Sequence, residues 1–92
     1  MIRSFKDREA KAIFSGEPAR PFRSVARVGQ RKLRQLDAAH ALHDLTIFPG
    51  HRLEALRGDR KGQHSIRVND QYRICFIWRD RDAHDVEIVD YH

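Results

Sequence analysis

The spacing of apolar residues changes once along this chain. Up to about residue 50 they recur every three to four positions; beyond His51 they alternate. Ala10, Ile13 and Phe14 stand at i, i+3 and i+4, the spacing of one amphipathic helix, with Ser4 or Asp7 as its cap. Ile2 to Phe5, just before it, reads as a short first strand. Gly16, Pro18 and Pro21 end the helix and hold a connector. A second helix is expected from about Phe22 to about Ala41. At 100° per residue, Val25, Val28, Leu33, Leu36 and Ala39 share one stripe. Arg23, Arg27, Arg31 and Arg34 fall opposite. Lys32 lies within the stripe, where it has to snorkel. Gly29 is a weak point costing roughly 1 kcal/mol relative to alanine. His40 and His43 fall at the end of this helix, where the dipole favours them; a metal pair is the lesser reading.

Leu45 to Gly50 reads as a loop. A strand is expected over Arg52–Leu56, with Leu53 and Ala55 on one face, followed by a loop at Gly58–Gly62. The next strand, His64–Val68, points Ile66 and Val68 one way and Ser65 and Arg67 the other. Asn69-Asp70 is a hairpin turn. Gln71–Trp78 is the clearest strand: Tyr72, Ile74, Phe76 and Trp78 face one side, Arg73, Cys75 and Ile77 the other. Asp80–Ala83 reads as a turn and Asp85–Val89 as a last strand. Helices followed by hairpin-linked strands predict an α+β fold, a small antiparallel sheet with two helices packed on one face.

Composition narrows the class. Ninety-two residues support one domain, residues 1–92, with one core. No apolar stretch approaches the ~20 residues of a membrane span, and Met1–Asp7 lacks the apolar run of a secretory signal. A single cysteine, Cys75, allows neither an internal disulfide nor a cysteine-based zinc site. The expected compartment is the cytoplasm. The charge is +5, and arginine supplies 14 of the 18 basic residues. Guanidinium forks match phosphate geometry, so nucleic acid or an acidic protein is the expected partner.

Two helices on one face leave the other sheet face open. Arg67 and Arg73 project from it on adjacent strands, where like charges repel. They either hold an anion or are neutralised by Glu54 or Glu87. The chain ends Asp90-Tyr91-His92, a titratable tripeptide after an apolar strand, and histidine suits acid–base work near neutral pH. Strict alternation puts Asp90 and His92 on the core side with Val86 and Ile88. A bulge or strand end near Val89 is needed to aim them into the groove. Of the other histidines, His64 falls at the groove, and His51 and His84 are expected in solvent. Cys75 reads as a small filler.

Met1-Ile-Arg-Ser-Phe5, the run from Arg52 through Gly58-Asp59-Arg60 and Ser65-Ile66-Arg67-Val68 to Phe76, and Val86-Glu-Ile-Val-Asp-Tyr-His92 together resemble the HigB-type toxins of the RelE/ParE toxin–antitoxin superfamily. The resemblance covers the whole chain and is densest over residues 49–92. It implies a ribosome-dependent mRNA endonuclease that uses no metal or other cofactor. The substrate's 2′-OH would attack the adjacent phosphorus, so DNA is excluded as a substrate. Implied partners are a helix-turn-helix, HigA-type antitoxin, the 70S ribosome and mRNA, with operator DNA reached only through the antitoxin. Carried over by position, Arg73 is the phosphate-stabilising arginine, Asp90 and His92 the acid–base pair and Tyr91 the neighbouring aromatic. Arg57 stands where some relatives have a catalytic lysine, and Glu54 where several have a histidine. Arg57, Arg60, Lys61, His64 and Arg67, with Arg23, Arg27, Arg31 and Arg34, are the expected RNA contacts. Gyrase-directed binding on the same fold and noncatalytic RNA binding are the competing readings; neither requires Arg73, Asp90 and His92.

Overall fold

Asp7 starts the first helix: its carboxylate accepts the Ala10 amide at 2.7 Å, and α1 runs Arg8–Phe14. In this computed structural model, which describes residues 1–90, Ala10 and Ile13 turn into the core. The second helix is shorter than its periodicity suggests. Phe22 leaves helical geometry at φ −117°, ψ 21°, so a 3₁₀ turn, Arg20–Val25, precedes α2, Ala26–Ala38. Tertiary packing accounts for the break, because the Phe22 ring meets Tyr72 edge-on at 5.3 Å. Arg23 therefore sits on the turn, and Arg27, Arg31 and Arg34 alone are helical. Gly29 faces the core, where a β-carbon would make ordinary contacts, 3.6 Å from Ile13 and 3.8 Å from Ile88.

At its other end α2 stops at Ala38, because Ala39 turns extended. His40 and His43 are thus beyond the helix and exposed. The Asp44 carboxylate accepts the amides of His40 and Ala41 at 2.9 and 3.0 Å, fixing a 3₁₀ turn over Leu42–Ile47. A second, Pro49–His51, follows, so the expected loop is two tight turns.

Four strands follow: β1 Glu54–Ala55, β2 His64–Arg67, β3 Tyr72–Arg79 and β4 Asp82–Asp90. They form one antiparallel sheet in chain order. The β2–β3 turn is set by Asn69, whose side-chain oxygen accepts the amides of Gln71 and Tyr72 at 2.9 and 2.8 Å. The β3–β4 turn is two residues, Asp80 and Arg81, both at positive φ, as a tight hairpin requires. Residues 2–5 do not form a full strand. They bridge β4 in parallel at Ile2–Ala83 and Phe5–Val86 and shield that sheet edge.

The helices cover the Ile74 and Phe76 side as expected. Ile13, Leu33, Leu36, Leu45, Ile66, Ile74, Phe76 and Val86 are at most 2% exposed and form the core. The other face is not open throughout. Leu56 and Cys75 are buried outside the main core cluster. Arg60, from the segment joining β1 to β2, reaches across to Glu87 of β4 at 3.1 Å. That segment turns at Gly58 and Gly62, both at positive φ, where a side chain would be strained. Cys75 is a buried filler, and desolvation raises its thiol pKa. Among the described residues no helix is long and apolar enough to cross a membrane.

Candidate active site

The uncovered part of the open face is built around Arg73. In the antiparallel register Arg73 lies directly opposite Arg67 on β2 and Val89 on β4. Two facing cations repel, and each is drawn aside. Arg67 pairs with Asp70 in the hairpin turn. Arg73 leans the other way, donating through Nε to the Ser65 hydroxyl at 2.7 Å and through a terminal nitrogen to the Arg52 carbonyl at 2.7 Å. Glu87 is not the neutralising carboxylate for either; it takes Arg60 at 3.1 Å and Lys6 at 3.4 Å.

Arg52 can present its carbonyl because it adopts a left-handed conformation, φ 45°, ψ 56°. This reverses the chain between the Pro49–His51 turn and β1. Two residues on, Glu54 pairs in register with Ser65. Opposed residues share a sheet face, so Glu54, Ser65, Arg67 and Arg73 all lie on the same side. Glu54 is exposed, as are Arg57 and Lys61 on the following segment. Arg60 is partly buried, braced by Gln63 as well as Glu87, each at 3.1 Å.

Lys32 holds this arrangement from beneath. It does not snorkel: it is buried, and its ammonium donates to the carbonyls of Arg67 at 2.6 Å and Gly50 at 3.3 Å. Desolvation lowers its pKa, with smaller contributions from Arg31, Arg67 and Arg73. The cation thus ties α2 to the end of β2 and to the turn before Arg52. His51, expected in solvent, is 1% exposed. Its Nδ1 lies 3.2 Å from the Leu45 carbonyl and its Nε2 2.7 Å from the Gln35 side chain. Burial, and then the charge of Lys32, bring its pKa down to about 4. The ring is therefore neutral near pH 7, donating through one nitrogen to the Leu45 carbonyl or to the Gln35 Oε1, both of which are acceptors.

Two expected groove residues lie elsewhere. His64 pairs with Phe76 in register and stacks on it at 6.2 Å, on the helix side of the sheet. Asp90 pairs with Tyr72, also on that side, and accepts from Gln71 at 3.1 Å. No bulge near Val89 redirects Asp90, because the register runs regularly from Ile74–Ile88 to Tyr72–Asp90. The bulge comes earlier, at Asp85 and Val86 opposite Phe76. Asp85 is left-handed there, at φ 50°, and its amide donates to the Ser4 hydroxyl at 2.8 Å. Ser4 therefore caps the bulge and not α1. His84 belongs to β4 and not to a turn. Tyr91 and His92 lie outside the described residues. Among the described residues no group of three metal-ligating side chains gathers, and His40 and His43 are both exposed.

A family model described as the RelE-like toxin of the type II toxin–antitoxin system HigB matches residues 3–92. The chain belongs to the HigB family of RelE-like toxins. Within that family, Toxin HigB-1 of Vibrio cholerae serotype O1 is 60% identical over 50 residues, 54% of this chain and 53% of that one. The match therefore spans about half the length of that relative. Endoribonuclease HigB of Proteus vulgaris is 36% identical over an alignment covering 100% of both chains. A chain of the heterotetrameric YoeB–YefM toxin–antitoxin complex from Staphylococcus aureus superposes with a TM-score of 0.58 at 16% identity, over 100% of this chain and 98% of that one. That likeness is one of fold, the four-stranded sheet with two main helices.

Sequence reasoning about this HigB-type toxin missed Ser65, Arg52 and Lys32 as supports of Arg73. Ser65 carries a weak signal: a small polar residue alternating with core aliphatics, two positions from an arginine on the same strand. Arg52 carries none, since its contribution is a backbone carbonyl.

Proposed function

We propose that this HigB-type endoribonuclease cuts mRNA on the ribosome by attack of the substrate's own 2′-OH. A base takes the 2′ proton as the O2′–phosphorus bond forms. The bond from phosphorus to O5′ then breaks, and an acid returns a proton to O5′. The products are a 2′,3′-cyclic phosphate and a free 5′-OH. The observation that carries this reading is the fixed Arg73 guanidinium, held by Ser65 and the Arg52 carbonyl on the sheet face away from the helices. The pentavalent phosphorus carries more negative charge than the ground-state diester, so a preorganised cation favours the transition state selectively.

Glu54 is the carboxylate that shares this face and is assigned as a proton acceptor. As a donor it is poor, since an ordinary glutamate with a pKa near 4.3 is ionised at neutral pH. His92 is assigned the acid role and Tyr91 the orientation of a base. Asp90, facing away from Arg73, is not assigned direct proton transfer. Arg57, Lys61 and Arg67 follow the RNA backbone, with Arg60 bracing the floor. Arg23, Arg27, Arg31 and Arg34 contact ribosomal RNA, and a HigA-type antitoxin blocks the toxin.

The test is single-turnover cleavage of mRNA on programmed ribosomes. A 2′-deoxy nucleotide on the 5′ side of the cut is expected to abolish cleavage, and the fragments to carry cyclic phosphate and 5′-OH ends. Cleavage of the deoxy substrate, or a 3′-OH product, overturns the mechanism.

A further inference from the structure

The antiparallel register lines up four residues in one row across the sheet face away from the helices: Glu54 of β1, Ser65 of β2, Cys75 of β3 and Glu87 of β4. Ser65 and Cys75, in the middle of the row, are fully buried. Arg73 stands two positions from Cys75 on the same strand, and so on the same face. Segment 56–63 begins at buried Leu56, whose amide donates to the Gln63 carbonyl at 2.9 Å. From this segment Arg60 reaches over to Glu87. One Glu87 oxygen accepts Arg60 at 3.1 Å and also meets the Lys6 ammonium at 3.4 Å. The Glu87 side chain is only 12% exposed, against 32% for Arg60 and 58% for Lys6. Packing does not wedge the segment in place at its glycines: a β-carbon on Gly58 or Gly62 would meet nothing within 4 Å.

We propose that Glu87 is a positioning residue for RNA cleavage: through Arg60 it holds segment 56–63 against the sheet and so sets where Arg57 and Lys61 stand relative to Arg73. The inference rests on Arg73 as the phosphate-stabilising group and adds what fixes the cations around it. A carboxylate on a face that meets RNA repels phosphate, so Glu87 does not serve binding directly. Its value lies in what it grips. Arg57 and Lys61 are exposed and belong to a segment whose backbone is freed by two glycines. Tying Arg60 to β4 removes that freedom. The scissile phosphate then meets Arg73 and the segment's cations in one fixed geometry, and errors of about 1 Å in such geometry are costly to the rate.

The sign of the effect separates this role from simple electrostatics. Glu87→Gln keeps the shape of the side chain and raises the net charge by one, which favours RNA. Loss of positioning lowers the rate instead. Single-turnover cleavage of mRNA on programmed ribosomes, over a range of toxin concentrations, separates the maximal rate from the half-saturating concentration. Glu87→Gln is expected to lower the maximal rate about 10-fold without raising the half-saturating concentration. Arg60→Gln should do the same, and the double variant should lose no more than either single one, because the two residues act as a unit. Lys6→Gln leaves the Arg60 contact in place and should cut at the wild-type rate.

Circular dichroism and thermal melts accompany each variant. A lower Tm with a wild-type maximal rate marks a purely structural pair and overturns the proposal. So do additive losses in the double variant, or a loss in Lys6→Gln equal to that in Glu87→Gln. Should Glu87→Gln fail to fold, Arg60→Gln decides from the other end: a wild-type maximal rate there overturns the proposal, and a reduced rate at unchanged half-saturation supports it. A wild-type chain that does not cut ribosome-bound mRNA overturns the reaction itself, and the positioning role with it; equal cleavage by wild type and Glu87→Gln overturns the positioning role alone.

Discussion

The Nε of Arg73 donates to the hydroxyl of Ser65 at 2.7 Å, and Ser65 is fully buried between β1 and β3. A long, flexible cation on a surface strand is thereby held by a short side chain with little freedom of its own. The Arg52 carbonyl supplies a second acceptor at 2.7 Å. Together they fix the direction of the guanidinium before any substrate arrives, and preorganisation of this kind gives a charge its catalytic effect.

Arg73→Ala is expected to lower single-turnover cleavage by ~100- to 1000-fold, the usual loss on removing a preorganised donor. Its circular dichroism spectrum should match wild type, because the side chain points away from the main core. Ser65→Ala keeps the charge and loosens it, so the expected loss is smaller, about 10-fold, and falls on the rate of the chemical step. Wild-type cleavage by a folded Arg73→Ala protein would remove Arg73 from the mechanism.

In the proposed function the outward row on α2 meets ribosomal RNA through charge alone. Combined Arg27→Glu and Arg31→Glu should weaken ribosome association and flatten its dependence on salt, since fewer phosphate counterions are released. The position of the cut should not move. Sedimentation with 70S ribosomes across a salt series measures this, and unchanged binding would leave the row as solvated surface.

Lys32 supports stability and positioning together. Lys32→Met retains the stem and removes the donor to the Arg67 and Gly50 carbonyls. Both bonds are part-buried, so the expected cost is about 1 kcal/mol, a fall in Tm of roughly 4–8 °C in a domain of this size. Cleavage at a temperature where the variant is fully folded should also fall, because the turn before Arg52 loses its tie to α2. Unchanged melting and unchanged cleavage together would show that water replaces the ammonium.

Acid sensitivity should trace to His51. Its pKa is near 4 in the folded protein and about 6.5 in an unfolded chain. Between those values the unfolded state binds more protons, so stability falls as pH falls. The contribution is fully present above about pH 6.5, declines through the interval and is lost below about 4, amounting to on the order of 3 kcal/mol. Urea melts of wild type and His51→Gln across pH 4–7 measure it. The variant should be less stable at pH 7 and its curve flatter; parallel curves would contradict a buried neutral imidazole.

Periodicity alone specified the two helices, the hairpin-linked strands and the inward faces of β2 and β3, because helical and strand spacings place side chains in ways that do not depend on distant residues. The core residues Ile13, Leu33, Leu36, Ile66, Ile74 and Phe76 were legible for that reason, as was Arg73 on the opposite face. Tertiary structure decided what depends on contacts between distant segments. Phe22 left the helix to meet Tyr72, fifty positions away. Lys32 and His51 look like surface residues by type, yet each is buried where the 3₁₀ turns bring backbone carbonyls and Gln35 within reach. The bulge fell at Asp85 because Ser4 satisfies its amide, which leaves the later register regular and Asp90 on the Tyr72 side. The support of Arg73 is likewise nonlocal: a backbone oxygen at Arg52 is the same atom in every residue, and only the fold determines where it points.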